Sequence, residues 1–166
     1  MKFKTKTPLK QKVALGVLGL VLILGLLNQS GALTDLQGRF GDRPLTRAQI
    51  IKMIVMDTGV ATVSSTTKCT FTDIVGDEWY ADYFYTACEN EWISLPTSGE
   101  VEPNEVWTRA EVSKIAYLAY GVTEYTPSSD SYTDVASDTW YYSYIESLNA
   151  MGAYRSTSGT FTPDST

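Results

Sequence analysis

The chain has 166 residues, with 13 basic and 19 acidic side chains and no histidine, so its net charge is −6. This acidic balance argues against nucleic-acid binding and against electrostatic docking on anionic lipid, both of which select Lys and Arg. The lack of histidine excludes His-based triads and His-ligated zinc sites. Because no phosphate-binding glycine loop and no distinctive acidic pair is present either, we predict a protein that is not an enzyme, with no cofactor and no metal site.

Residues 1–32 have the pattern of a secretory signal peptide. Five lysines lie in the first 12 residues, residues 13–27 carry no polar side chain, and the small residues Ser30 and Ala32 follow. The apolar run is shorter than the roughly 20 residues of a membrane span. Cleavage after Ala32 would leave eight basic and 19 acidic residues, a net charge of −11. An uncleaved membrane anchor is the alternative.

The first helix with recognisable ends follows Thr46. Thr46 and Gln49 have the spacing of a capping box, and Gly59 stands where a left-handed residue would end the helix. The residues between them are apolar on nearly all sides, which predicts a central, buried helix. Arg47 occupies its first position.

A second helix is predicted after the aromatic-Thr-Asp-aliphatic motif of residues 71–74. Asp77 is its expected N-cap, and Trp79 is interpreted as a core anchor, with a sugar platform as the alternative. Asp73 is expected to form a local bond to the backbone, with calcium binding as the alternative. In an exported chain, Cys69 and Cys88 are candidates for a disulfide, and two separate buried thiols are the alternative.

The third predicted helix repeats the signals of the first. Thr108 and Glu111 form a second capping box, Arg109 takes the first helical position, and Gly121 stands where the C-cap is expected. Trp107 precedes the capping Thr, where it can serve as a hydrophobic staple or as a sugar contact.

The second half of the chain restates the first at a spacing near 61 residues. The paired segments are 71–74 with 132–135, 77–80 with 138–141, and 98–103 with 158–163. A fixed period of this size predicts stacked supersecondary units. We divide the chain after residue 32 into a partial copy at 33–60, a complete copy at 71–122 and a partial copy at 132–166. The last copy ends before its Thr-Arg-Ala-Glu helix. Trp140, which pairs with Trp79, is likewise interpreted as a core residue.

These anchors recur in a fixed order: Phe71-Thr72-Asp73-Ile74, Trp79, Gly99-Glu100-Val101-Glu102-Pro103, and Trp107-Thr108-Arg109-Ala110-Glu111. Together they resemble the S-layer homology (SLH) repeat of bacterial envelope proteins. The resemblance implies a mainly α fold, a pseudo-threefold helical bundle with short loops and turns. It also implies a secreted protein of the cell wall or S-layer that binds secondary cell-wall polysaccharide, through a pyruvylated sugar, or peptidoglycan.

The resemblance maps the motif arginine of the family onto Arg47 and Arg109. The predicted glycan-binding residues are Arg47, Arg109, Trp107, Thr46 and Thr108. The start of a helix offers backbone N–H groups and the positive end of the helix dipole. The guanidinium group of Arg can also bind a carboxylate through two parallel hydrogen bonds. We expect the first two N–H groups of each helix to be free for this purpose. The alternative is that both arginines only pair with surface carboxylates.

A different class of function is also consistent with the pattern. The chain would then be a membrane-anchored or oligomerising structural subunit of the envelope, without glycan binding of its own. In that interpretation a second copy completes the third repeat, and the membrane is a partner only if residues 1–32 are uncleaved. Intact mass and light scattering separate this hypothesis from the first.

Overall fold

The computed structural model describes residues 44–75, 77–154 and 159–166. In this part of the chain the protein is mainly helical, with four helices and no strand, as predicted. The helices are α1 (Arg47–Thr58), α2 (Ala81–Glu89), α3 (Arg109–Ala119) and α4 (Tyr142–Ala150). None of the helices in these ranges is long and apolar enough to span a membrane. The predicted signal peptide lies outside the described residues.

Helices α1 and α3 begin with the same hydrogen-bonded cap. The Thr46 hydroxyl accepts the N–H of Gln49 at 3.3 Å, and the Gln49 side chain accepts the N–H of Thr46 at 2.9 Å. Thr108 and Glu111 make the same pair of bonds, at 3.3 and 2.7 Å. Both helix starts are therefore fixed by residues within one turn.

The C-terminal ends of these two helices differ slightly. Gly59 caps α1 directly, with a left-handed φ of 65°. Helix α3 ends at Ala119, and Gly121 takes the left-handed conformation two residues later, with φ 58°. The N–H of Val122 then reaches back to the carbonyl of Tyr117 at 3.1 Å, which closes the last turn of the helix.

Helix α2 begins at Ala81, four residues after its predicted cap. The N–H of Ala81 bonds to the carbonyl of Glu78 at 3.0 Å, so a separate turn precedes the helix. Tyr80 is the N-cap residue, and no side chain caps the helix. The prediction that Asp77 caps this helix is wrong, because the turn at 78–81 separates that side chain from the first helical residues.

The core lies where α1 packs on α2, α3 packs on α4, and α1 meets α3. Its largest fully buried side chains include Phe84, Phe161, Ile51, Ile54, Ile145 and Leu148. Trp79 and Trp140, however, are 55% and 56% exposed, so the prediction that they are core anchors is wrong. Each Trp lies in the turn before its helix, and Trp79 meets the Tyr80 ring edge-on at 5.4 Å on the outside of the core.

Two aspartates hold distant turns in place. Asp73 accepts the N–H groups of Val101 and Glu102, at 3.0 and 2.6 Å. Asp134 accepts those of Phe161 and Thr162, both at 2.7 Å. The prediction of a local bond at Asp73 is wrong, since its partners lie 28 and 29 residues further along the chain.

The structure joins Cys69 and Cys88 in a disulfide, with the two Cα atoms 6.3 Å apart. Both residues are buried, at 6% and 2% exposure. The bond connects the polar linker that follows α1 to the last turn of α2. Lys68 forms a second link between this linker and α2, because its ammonium donates to the carbonyl of Glu89 at 2.7 Å.

The end of α2 is closed by a residue that is poorly suited to its backbone conformation. Glu91 has φ 62°, a left-handed value, where α4 has Gly152 at φ 76°. Replacing Glu91 by Gly is expected to raise the free energy of unfolding by up to about 1 kcal/mol, because a side chain costs about 1–2 kcal/mol there. The lost ion pair of Glu91 with Lys68, 3.0 Å long and exposed, contributes little.

Urea denaturation measures the effect of this change. Glu91→Ala is the matched control, since it removes the same ion pair and keeps a side chain at the left-handed position. A Gly variant no more stable than the Ala variant would contradict the prediction.

Candidate functional site

The start of α1 is covered by the turn that leads into α3. The N–H of Arg47 donates to the carbonyl of Glu105 at 2.7 Å, and the N–H of Ala48 donates to that of Pro103 at 2.9 Å. The expectation that these two N–H groups are free is wrong for α1. The turn folds back over the helix start and supplies the acceptors that an anion was expected to provide.

The start of α3 is covered in the same manner by the segment 159–166. The N–H of Arg109 donates to the carbonyl of Ser165 at 2.8 Å, and the N–H of Ala110 donates to that of Pro163 at 3.0 Å. The expectation of free N–H groups is therefore wrong at this helix too. Neither helix start has the open N-terminus that direct anion binding requires.

The Arg47 side chain lies at the edge of a cavity and is already bonded within the protein. One of its terminal nitrogens donates to the carbonyl of Val101 at 3.0 Å and to a carboxylate oxygen of Glu102 at 2.6 Å. The side chain is 18% exposed. The guanidinium carbon lies 5.9 Å from the centre of the Trp107 ring, which is within the range of a cation–π contact.

Arg109 is buried instead, with 8% of its surface exposed. Its Nε donates to the carbonyl of Phe161 at 2.9 Å, and the guanidinium carbon lies 4.5 Å from the centre of the Phe161 ring. Burial lowers the pKa of this guanidinium below its ordinary value, though not enough to neutralise an arginine. Arg109 thus holds the segment 159–166 against α3.

A cavity of about 310 Å³ lies between the start of α1, the turn after α2, and α3. Its charged and aromatic lining comprises Arg47, Trp92, Trp107, Glu111, Lys114 and Trp140. Three indoles and two cations therefore share one cavity in a protein of net negative charge. The single carboxylate of this lining, Glu111, is engaged in the cap, where one oxygen accepts from the N–H and the hydroxyl of Thr108.

The structure brings together only part of the predicted site. Arg47 and Trp107 line the cavity, whereas Thr46 and Thr108 serve as caps. Arg109 is not among the lining residues, and its glycan contact stays a prediction without a geometric basis.

Among the charged and aromatic lining residues, sequence reasoning missed Trp92 and Lys114, and it placed Trp140 in the core in preference to a sugar contact. A signal for one of them existed, because Lys52 and Lys114 each stand six residues after a capping Thr. The Lys114 ammonium lies 5.9 Å from the centre of the Trp140 ring. The Lys52 ammonium lies 5.2 Å from the centre of the Trp79 ring, and Trp79 does not line this cavity. The two Lys–Trp pairs therefore have similar geometry in different surroundings.

Searches of the sequence against protein-family models and against curated proteins find no match. Within residues 44–75, 77–154 and 159–166, no group of three or more His, Cys, Asp or Glu side chains is placed to hold a metal ion. The function is therefore inferred from the cavity and the sequence pattern.

Proposed function

We propose that this protein binds carbohydrate and attaches noncovalently to the bacterial cell wall. The proposed ligand is an acidic glycan, either a secondary cell-wall polysaccharide with a pyruvylated sugar or peptidoglycan. The observation that carries the proposal is the cavity of about 310 Å³ with its indoles and its two cations. Its volume is at the lower end of the range of small-molecule sites, which suits a short stretch of glycan.

The lining matches the chemistry of such a ligand. A pyranose ring presents C–H groups on its faces, and these pack favourably against an indole. Trp140 is 56% exposed, so stacking a sugar on it removes apolar surface from water. Lys114 and Arg47 place positive charge beside the same cavity, where a ketal-linked carboxylate can be bound.

We further propose that the fold consists of SLH-type repeats, a complete copy at 71–122 between partial copies at 33–60 and 132–166, arranged with pseudo-threefold symmetry. Contacts that recur about 61 residues apart support this proposal. The hydroxyl of Thr86 accepts the N–H of Val63 at 3.0 Å, and that of Ser147 accepts the N–H of Tyr125 at 2.9 Å. The paired aspartate contacts and the two Lys–Trp contacts follow the same spacing. In this proposal the protein is exported and resides in the cell envelope.

Cosedimentation with purified cell-wall sacculi tests the function directly. The protein is expected to pellet with intact sacculi and to remain in solution once the non-peptidoglycan polymer is stripped from them. Pelleting with both preparations would identify peptidoglycan as the ligand. Failure to pellet with either would refute the proposed function.

The cavity itself is tested by two single substitutions of exposed tryptophans. Trp140→Ala is expected to weaken binding to sacculi by about tenfold or more, as for other aromatic residues at the centre of binding sites. Trp79→Ala is the matched control, because this Trp has nearly the same exposure and also stacks with a lysine, but does not line the cavity. Equal binding by the two variants in a pelleting titration would contradict the assignment of the cavity.

A further inference from the structure

The two cations at the cavity differ in how much of their charge is already balanced. Arg47 forms an ion pair with Glu102, with nitrogen and oxygen 2.6 Å apart, and it also donates to the carbonyl of Val101. An acidic ligand would have to compete with that carboxylate or add a second negative charge beside it. Arg47 therefore offers a ligand less net attraction than its formal charge suggests.

The positive charge of Lys114, by contrast, is not balanced by a carboxylate in the part of the chain that the structure describes. Among the described residues, no carboxylate lies within ion-pair distance of its ammonium group. Glu111 is one turn away on the same helix, but its capping bonds to Thr108, at 2.7 and 3.0 Å, fix the position of its carboxylate at the helix start. The charge of Lys114 is therefore not paired at the cavity.

The position of the Lys114 side chain is also restricted, by its contact with Trp140. Its ammonium lies 5.9 Å from the centre of the Trp140 ring, and both residues line the cavity. A cation–π contact of this kind limits the positions of a flexible lysine and leaves its N–H donors available for other acceptors. A sugar stacked on Trp140 would place its substituents close to this ammonium.

We infer that Lys114 is the residue that recognises the acidic group of the ligand, with neither arginine in that role. This inference rests on the proposed function and concerns the same cavity. It assigns the motif arginines a mainly structural role: Arg47 anchors the turn over α1, and Arg109 anchors the segment over α3. Specificity for a carboxylate-bearing sugar over a neutral one then depends on one lysine.

The test uses two ligands that differ in one group. One is a pyruvylated hexopyranoside, and the other is its isopropylidene analogue, in which a methyl group replaces the carboxylate. The full-length protein is expected to bind the acidic glycoside about 10- to 100-fold more tightly than the neutral analogue. This ratio corresponds to the usual contribution of one hydrogen bond to a charged group. This preference is expected to shrink as salt is added.

Lys114→Gln is expected to abolish the preference while binding the neutral analogue as the wild type does. Lys52→Gln is the matched control, since Lys52 has the same place on α1 and lies over Trp79 outside the cavity lining. A Lys114→Gln variant that keeps the preference would overturn the inference, and so would a wild type that binds both glycosides equally or neither.

Failure of the inference and failure of the proposed function are distinguishable. Pelleting with sacculi that is lost in Trp140→Ala supports the cavity irrespective of the charge preference. If Arg47→Gln rather than Lys114→Gln removes the preference, the cavity stands and the inference about Lys114 is wrong.

Discussion

Replacing Phe161 by Ala is expected to lower the free energy of unfolding by about 3–5 kcal/mol, the usual cost of removing a buried aromatic side chain. Phe161 is 1% exposed. Its ring lies 4.9 Å from that of Tyr154 and 5.4 Å from that of Tyr132, measured between centres. The substitution also removes the aromatic ring whose centre lies 4.5 Å from the guanidinium carbon of Arg109, so a buried cation loses this cation–π contact. A loss of this size is a large part of the stability of a small domain.

Urea denaturation followed by far-ultraviolet circular dichroism measures the loss. Asp164→Ala is the control, because Asp164 lies in the same segment and is exposed. The control is expected to change stability by less than about 0.5 kcal/mol. An unchanged midpoint for Phe161→Ala would show that the segment 159–166 does not form part of the core.

Reducing the Cys69–Cys88 disulfide is expected to lower the free energy of unfolding by about 3 kcal/mol. The bond closes a loop with a sequence separation of 19 residues, and on the chain-entropy model a loop of this length stabilises by about that amount. The effect arises because the cross-link restricts the unfolded chain. Stability measured with and without dithiothreitol gives the difference.

The double variant Cys69→Ala/Cys88→Ala separates the cross-link from side effects of the reductant. It is expected to unfold at the same midpoint with and without dithiothreitol, close to that of the reduced wild type. Equal stability of oxidised and reduced wild type would contradict the prediction. Alanine is chosen because both positions are buried, and a serine hydroxyl there would add a desolvation cost.

The corresponding linker before α4 is held without a disulfide. The N–H of Ser131 donates to the fully buried carboxylate of Glu146 at 2.9 Å, and the Ser131 hydroxyl donates to its other oxygen at 2.5 Å. The linker before α2 is thus held by a disulfide, and the linker before α4 is held by hydrogen bonds to a buried carboxylate.

Hydrogen exchange should therefore show that a reductant lowers the protection of residues near Cys69 and leaves those near Ser131 protected.

The two arginines show how a shared motif leads to different surroundings. Both open a capped helix, and both helix starts are covered by backbone carbonyls. Arg47 nevertheless reaches a cavity, while Arg109 is enclosed by Phe161. The covering segments present different side chains: Glu102 pairs with Arg47, whereas the ring of Phe161 covers Arg109.

Several features of the protein were predictable because they depend on near neighbours in the chain. A capping box needs only residues three apart, and a left-handed glycine ends a helix within the same turn. The starts of α1 and α3, their lengths to within two residues and the mainly helical class follow from such signals. The even number of cysteines in an exported chain made Cys69 and Cys88 a candidate pair, and the structure decided between a disulfide and two separate thiols.

Only the tertiary structure decided the surroundings of these elements. The carbonyls that cover Arg47 and Arg109 come from residues more than 50 positions away, so no local pattern indicates that the helix starts are closed. The exposure of Trp79 and Trp140 likewise depends on a turn that precedes each helix. The sequence by itself determined where α1 and α3 begin, because their caps are local. Packing between distant segments decided which cations remain open to a ligand, because burial and ion pairing depend on neighbours that only the folded chain supplies.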